Sequence, residues 1–112
     1  MGISTHILDT SKGKPAKGVR ISLQKIEGTH VHEISTGVTD ADGRIKALVA
    51  AGSTFDAGTY RLNFDVASYF EQNGTDAFYP SVSIDFVVKD PAEHFHVPLL
   101  LQPFGFATYR GS

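Results

Sequence analysis

The chain contains no cysteine. Disulfide bonds and thiolate metal sites are therefore excluded, and the redox state of its compartment is left unconstrained. No run of apolar residues approaches the roughly 18 that a membrane-spanning helix requires. Residues 1–6 have neither a basic segment nor an apolar core, so we expect no secretory signal and take the cytoplasm as the default location.

A concentration of charge of one sign is also missing. The chain carries 10 basic and 12 acidic side chains, for a net charge of −2, and the basic residues are scattered. No basic stripe indicates nucleic acid, and no basic amphipathic helix indicates a membrane surface. At this length we expect one domain over residues 1–112, whose partners are small molecules or further copies of itself.

What the sequence does contain is a regular alternation of apolar and polar residues. Val82, Ile84 and Phe86, for example, alternate with Ser83 and Asp85. A period of two is typical of strands with one buried face. In the segment 31–39, His32, Ile34, Thr36 and Val38 alternate in the same way with Glu33, Ser35 and Gly37, and the apolar members of the first set are expected to face the core.

Turn residues separate these alternating segments. Together the two signals predict about eight short strands, near residues 3–8, 18–26, 31–39, 44–49, 58–65, 80–89, 94–102 and 105–110. So many short strands in a small domain indicate an all-β fold, a two-sheet antiparallel sandwich. One segment differs: Asp65 is a candidate N-cap and Asn73-Gly74 a candidate C-cap, which predicts a short helix between them.

The strand predicted at 94–102 is apolar on both faces. Its core face is expected to hold Phe95, Val97, Leu99 and Leu101, and its outer face His94, His96, Pro98, Leu100 and Gln102. Strands of this kind usually have protein on both sides. In a small sandwich, the simplest cover for the outer face of this strand is another subunit. We therefore expect a homo-oligomer with His96 at or near a subunit contact.

The histidines leave two interpretations open. His94 and His96 have the spacing of two zinc ligands on one strand, and His6 would have to be the third. Against zinc, no cysteine or carboxylate stands at metal-ligand spacing, so chance placement is favoured and we predict no metal. His30 and His32 flank a hairpin turn and are expected to be exposed.

The residues Tyr109-Arg110-Gly111-Ser112 end the sequence in polar groups. We expect the strand predicted at 105–110 to hold them in place, so that the Tyr109 phenol, the Arg110 guanidinium, the Ser112 hydroxyl and the α-carboxylate line a binding site. Arg44 follows the hairpin-turn dipeptide Asp42-Gly43 and by itself reads as an exposed turn residue. Spacing alone does not bring His6, Arg44, His96 and this tetrapeptide together.

Four segments carry a resemblance to a known family. They are Ile3–Thr10 with Gly13–Ala16, Thr39–Arg44, His94–Leu101 and Thr108–Ser112. In this order and spacing they resemble the 5-hydroxyisourate hydrolases, the transthyretin-related enzymes of urate breakdown. The similarity runs from the first predicted strand to the last residue.

The resemblance implies a transthyretin-like sandwich with one short helix, assembled as a homotetramer with active sites at the dimer–dimer interface. It implies hydrolysis of 5-hydroxyisourate to 2-oxo-4-hydroxy-4-carboxy-5-ureidoimidazoline, a cyclic amide C–N cleavage, with no metal or organic cofactor. The catalytic residues it implies are His6, Arg44, His96 and Ser112. The substrate-binding residues it implies are His6, Arg44, Tyr109, Arg110, Gly111 and Ser112.

These residue types suit amide hydrolysis. A neutral histidine can activate water near pH 7, and a forked, cationic arginine can stabilise a developing oxyanion. Whether His6 or His96 is the base stays open at this point. Three other functions also stay open: a transthyretin-like carrier of an apolar small molecule, a zinc hydrolase, and a monomeric accessory domain.

Overall fold

Two β-sheets face each other across an apolar core in the computed structural model, which describes residues 2–112 and leaves Met1 outside. The first sheet contains β1 (Gly2–Asp9), β2 (Lys14–Pro15), β5 (Arg44–Ile45), β8 (His94–Gln102) and β9 (Gly105–Thr108). The second contains β3 (Arg20–Glu27), β4 (His30–Val38), β6 (Gly58–Phe64) and β7 (Val82–Val88). The predicted all-β sandwich with one short helix is confirmed.

The strand order of the first sheet decides which residues meet. It runs β2-β1-β8-β9, and β5 pairs with the same edge of the sheet by bonding to β1. The second sheet runs β4-β3-β6-β7. Among the pairs formed by residues 2–112, β1 with β8 is parallel and the others are antiparallel. The first and the penultimate strand therefore lie side by side with the same direction.

The inner faces of the two sheets form the core. As predicted, β8 buries Phe95, Val97, Leu99 and Leu101, each no more than 6% exposed. Opposite them lie buried residues of the second sheet such as Leu23, Leu62 and Phe64. Full burial of a side chain of this size stabilises the fold by about 1.5–3 kcal/mol. The core thereby holds both sheets rigid under the outer face of β1 and β8.

The predicted buried face of β4 is wrong. His32, Ile34, Thr36 and Val38 are all exposed. The half-buried residues are Ser35 and Gly37, because they pair with the core residues Leu23 and Ile21 of β3. A register shift between β3 and β4, next to Leu23, breaks the simple period of two. The predicted exposure of His30 and His32 is confirmed.

The predicted helix is confirmed as α1 (Val66–Gln72). Asp65 caps its N-terminus by accepting a hydrogen bond from the Ser68 backbone N–H at 3.2 Å. The helix is tied to the first sheet because the Tyr69 hydroxyl donates to Asp9 Oδ2 at 2.8 Å. None of the helices formed by residues 2–112 is long and apolar enough to cross a membrane.

The strands differ from the prediction most at β2, β5 and β9, while the other strands agree with it to within two residues at each end. The short edge strand β2 was not expected, β5 covers 44–45 rather than 44–49, and β9 ends at Thr108 rather than at residue 110. Beyond β9 the chain makes one isolated bridge, in which the Gly111 N–H donates to the His96 carbonyl at 2.8 Å. The terminal residues are therefore held by this bridge to β8 and not by a continuous strand.

Candidate active site

The register of β1 with its two neighbours places the predicted catalytic residues on one surface. His6 stands opposite Arg44 of β5, and Ser4 stands opposite His96 of β8. Residues opposed in a ladder point to the same face, and residues two apart on one strand share a face. Ser4, His6, Arg44 and His96 therefore all lie on the outer face of the first sheet, away from the core.

The turn before β5 delivers Arg44 to this face. The Asp40 carboxylate accepts hydrogen bonds from the backbone N–H groups of Asp42 at 2.9 Å and of Arg44 at 3.0 Å. The bond from Arg44 is the main reason that the pKa of Asp40 lies below its usual range. Gly43 has φ +72°, and any Cβ at this position would collide with the Ile7 carbonyl oxygen. Glycine thus allows the turn to approach β1 closely.

A polar pocket of about 230 Å³ lies on this outer face. Its lining residues are Ser4, Thr5, Arg44, Ile45, Lys46, His94, His96 and Ser112. A second, adjoining recess is lined by His6, Pro15, Asp42, Arg44 and Lys46. Arg44 and Lys46 line both recesses, so the two recesses share a cationic wall.

The surroundings of His96 disfavour its protonation. Partial burial lowers the pKa of His96, and coulombic interactions with His6, His94 and Arg44 lower it further. A histidine with a depressed pKa carries a free ring nitrogen at neutral pH, which a general base requires. The ring is fixed by Ser4, whose Oγ lies 2.8 Å from His96 Nδ1.

Gly111 and Ser112 complete the same pocket. The bridge of Gly111 to the His96 carbonyl brings the neighbouring Ser112 to the pocket wall. A Cβ built on Gly111 would stand 2.6 Å from His96 Cδ2 and 3.2 Å from Pro98 Cγ. Glycine is therefore required here for close contact with the His96 ring.

Tyr109 and Arg110 are placed elsewhere in the single chain. Arg110 Cζ lies 4.6 Å from the centre of the Phe95 ring, and Arg110 Nη2 lies 3.9 Å from Glu93 Oε2. Both residues line an apolar recess with Ile84 and Phe86. The structure thus brings together His6, Arg44, His96, Gly111 and Ser112, but it does not bring Tyr109 and Arg110 into their pocket.

Ser4 and Lys46 are among the lining residues that the sequence did not identify as site residues. Ser4 was visible on the same strand face as His6, but its contact with His96 depends on the parallel pairing of β1 with β8. His94 was considered only as a zinc ligand. Within residues 2–112 no group of three or more His, Cys, Asp or Glu side chains has an arrangement that could hold a metal ion, so the geometry offers the zinc interpretation no support.

Comparisons with known proteins agree with this geometry. The sequence profile described as "HIUase/Transthyretin family" matches residues 3–111. The protein named "5-hydroxyisourate hydrolase 2" of Rhizobium meliloti (strain 1021) is 43% identical over 114 residues, which cover 98% of this chain and 95% of that protein.

Two solved structures extend the comparison. The 5-hydroxyisourate hydrolase of Klebsiella pneumoniae superposes with a TM-score of 0.87 at 40% identity, with 100% of both chains covered. Sea bream transthyretin in complex with thyroxine superposes with a TM-score of 0.90 at 32% identity, with 99% of this chain and 95% of that chain covered. With its sequence and its fold in agreement, the chain belongs to the HIUase/Transthyretin family.

Proposed function

We propose that this protein is a 5-hydroxyisourate hydrolase. It adds water to a cyclic amide C–N bond of 5-hydroxyisourate and releases 2-oxo-4-hydroxy-4-carboxy-5-ureidoimidazoline, a step of urate catabolism. Relatives that carry this name, at 40–45% identity over nearly the full chain, support the activity. The observation that carries the proposal is the ladder register that places His6, Arg44 and His96 on one polar face.

The roles follow from the chemistry of each side chain. His96, neutral and half-buried, is suited to accept a proton from the attacking water. Arg44 lines both recesses, where its guanidinium can hold the carbonyl oxygen as negative charge develops. His6 stands opposite Arg44 in the ladder and is suited to orient the substrate or to protonate the leaving nitrogen. Ser112 is suited to position substrate or water from the pocket wall.

The assembly in this proposal is a homotetramer with the sites at the dimer–dimer interface. Several large apolar residues are exposed in the single chain, among them Phe78 and Phe104 at 70%, Val87 at 58% and Tyr109 at 58%. The edge strands β7 and β9 have unpaired backbone groups that a second copy could bond. The substrate-binding role predicted for Tyr109 and Arg110 requires such a subunit contact.

The alternative is a carrier of an apolar small molecule. The transthyretin of sea bream, whose structure contains thyroxine, has the same fold. The pocket of this chain disfavours that alternative, because two histidines, Arg44, Lys46 and Ser112 would place polar and cationic groups against an apolar ligand. One transthyretin-like domain over residues 1–112 and a cytoplasmic location remain part of the proposal.

A spectroscopic assay tests the activity. Freshly prepared 5-hydroxyisourate, made from urate with a urate oxidase, decays slowly alone, and we expect micromolar protein to accelerate this decay. His6→Asn, Arg44→Lys and His96→Asn should each lower kcat/KM by about 100-fold or more, because each removes an acid–base or oxyanion contact. His30→Asn, an exposed histidine on the distal hairpin, is the matched control and should leave the rate unchanged.

Two results would contradict the proposal. Absence of acceleration by the wild-type protein would exclude the activity. Rates near the wild-type value in all three site variants would leave the activity but refute the assignment of the site. The tetramer is tested separately by sedimentation, in which a monomer at micromolar concentration would refute the interface.

A further inference from the structure

Ser4 connects two histidines. Its Oγ lies 2.8 Å from His96 Nδ1 and 2.8 Å from His94 Nε2. The parallel register of β1 and β8 places Ser4 opposite His96, and the hydroxyl is only 9% exposed at residue level, so both contacts form away from bulk water. His96 is half-buried in the pocket, whereas His94 is exposed. The three side chains thus form a chain along the pocket wall, from the half-buried His96 to the exposed His94.

The proton count of this chain couples the two rings. A hydroxyl has one proton, so Ser4 can donate to one ring nitrogen and must accept from the other. In the first arrangement His96 Nδ1–H donates to Ser4 and Ser4 donates to His94 Nε2, which leaves His96 Nε2 free to accept a proton. In the second arrangement both bonds are reversed, and His96 Nε2 carries its proton. The tautomer of His96 is therefore determined by Ser4 and His94 together.

We propose that Ser4 is a positioning residue that sets the tautomer of His96 and passes protons between His96 and His94. This inference rests on the proposed hydrolase function. His96 Nε2 takes a proton from the attacking water, and the proton on His96 Nδ1 moves to Ser4 Oγ. The original proton of Ser4 moves at the same time to His94 Nε2. Ser4 ends as a neutral hydroxyl, His96 as neutral imidazole and His94 as imidazolium, so one proton has moved outward.

The reaction produces a proton that must leave the pocket. Ring opening gives a carboxylic acid, which ionises near pH 7, and a neutral ureido nitrogen, so each turnover releases one proton. His94 is exposed and can return its proton to bulk water. Partial burial, together with the coulombic effects of His6, His94 and Arg44, lowers the pKa of His96 and disfavours retention of a proton there.

The same chain predicts a second effect of acid. A protonated His94 must donate from Nε2 to Ser4, which forces Ser4 to donate to His96 Nδ1. His96 then carries its proton on Nε2 and cannot act as a base, although its ring is neutral. Protonation of either His94 or His96 therefore stops the reaction, and each contributes one unit to the slope of log(kcat/KM) on the acid side.

Ser4→Ala and Ser4→Thr form the matched pair that tests this role. In Ser4→Ala we expect kcat to fall by about 10- to 100-fold with KM within about threefold, because the base loses its correct tautomer. Ser4→Thr keeps the hydroxyl and should restore kcat to within about fivefold of the wild type. Long-range ¹⁵N–¹H spectra should show His96 with a free Nε2 in the wild type and in Ser4→Thr, and a mixture of tautomers in Ser4→Ala.

Wild-type kcat in Ser4→Ala, an unchanged His96 tautomer in that variant, or failure of Ser4→Thr to restore activity would each overturn the inference. If Ser4→Ala does not fold, His94→Gln replaces it, since His94 is exposed. The acid slope should then decrease by one unit, and an unchanged slope overturns the relay. If the wild type does not accelerate decay of 5-hydroxyisourate, the proposed function fails, whereas the tautomer spectra still test Ser4 by themselves.

Discussion

Gly111→Ala is the sharpest test of how the terminal residues shape the site. The added methyl carbon would stand 2.6 Å from His96 Cδ2 and 3.4 Å from His96 Cγ. Carbon atoms in contact prefer about 3.5–4.0 Å, so the imidazole or the terminal segment must move by about 1 Å. The ring is a poor candidate to move freely, because it is also bonded to Ser4.

The expected loss can be estimated from this displacement. A misplacement of about 1 Å at a reacting group costs about 100-fold in rate, which corresponds to about 2.7 kcal/mol of transition-state stabilisation. The loss of stability should be smaller, about 1–3 kcal/mol for an overpacked contact, because the Gly111 N–H to His96 carbonyl bond can persist. Gly111→Ala should therefore lose most of its activity while the protein remains folded.

The assay compares the decay of 5-hydroxyisourate with thermal unfolding in the same samples. Gly105→Ala is the matched control, since a Cβ there meets the movable end of the Gln102 side chain at 3.3 Å, and we expect nearly wild-type activity. If Gly111→Ala keeps kcat/KM within about threefold of the wild type, the close packing of Gly111 on His96 does not contribute to catalysis.

Two further predictions concern the acid stability of the fold and the wall of the pocket. Burial by itself would raise the pKa of Asp9, but hydrogen bonds from Ser11, Tyr69 and two backbone N–H groups outweigh it and hold the pKa below the usual range. This carboxylate therefore stabilises the fold above its unfolded pKa, and the contribution is lost as pH falls through the lower folded value. Tyr69→Phe should cost about 1–3 kcal/mol and move the acid-unfolding midpoint to higher pH, as followed by circular dichroism; an unchanged midpoint would contradict it. Residues added after Ser112 should reduce activity far more than the same residues added at the other end, and equal tolerance of both extensions would show that Ser112 is not part of the pocket wall.

Local patterns were sufficient for much of the fold. The alternation along β7 and the core face of β8 was predicted correctly, because the burial of one strand face leaves a period of two in the sequence itself. Helix α1 was predicted from its caps at Asp65 and Asn73, which are also local signals. The buried face of β4 was predicted wrongly, since a register shift relative to β3 depends on the partner strand and leaves no clear mark in a single segment.

Resemblance contributed most to the site. Without it, Arg44 read as an exposed turn residue and His6 as an ordinary strand residue. The position of each site residue depends on partners elsewhere in the chain. Arg44 is placed by its pairing with β1, and His96 by its contacts with Ser4 and Gly111. Tyr109 and Arg110 were grouped with Ser112 by sequence, but the chain leaves β9 at Thr108 and directs Arg110 to the Phe95 ring instead.

From the sequence alone, most of the strands and the helix could be predicted, cysteine chemistry could be excluded, and the motifs could be recognised as resembling a known family. These properties depend on the types of residues and on their separation over a few positions, and both can be read directly from a sequence. Only the tertiary structure decided that β1 runs parallel to β8, and therefore that Ser4 lies between His94 and His96. The physical reason is that strand pairing is chosen by the packing of both sheets around one core, so the contacts it creates between residues about ninety positions apart follow from the whole fold.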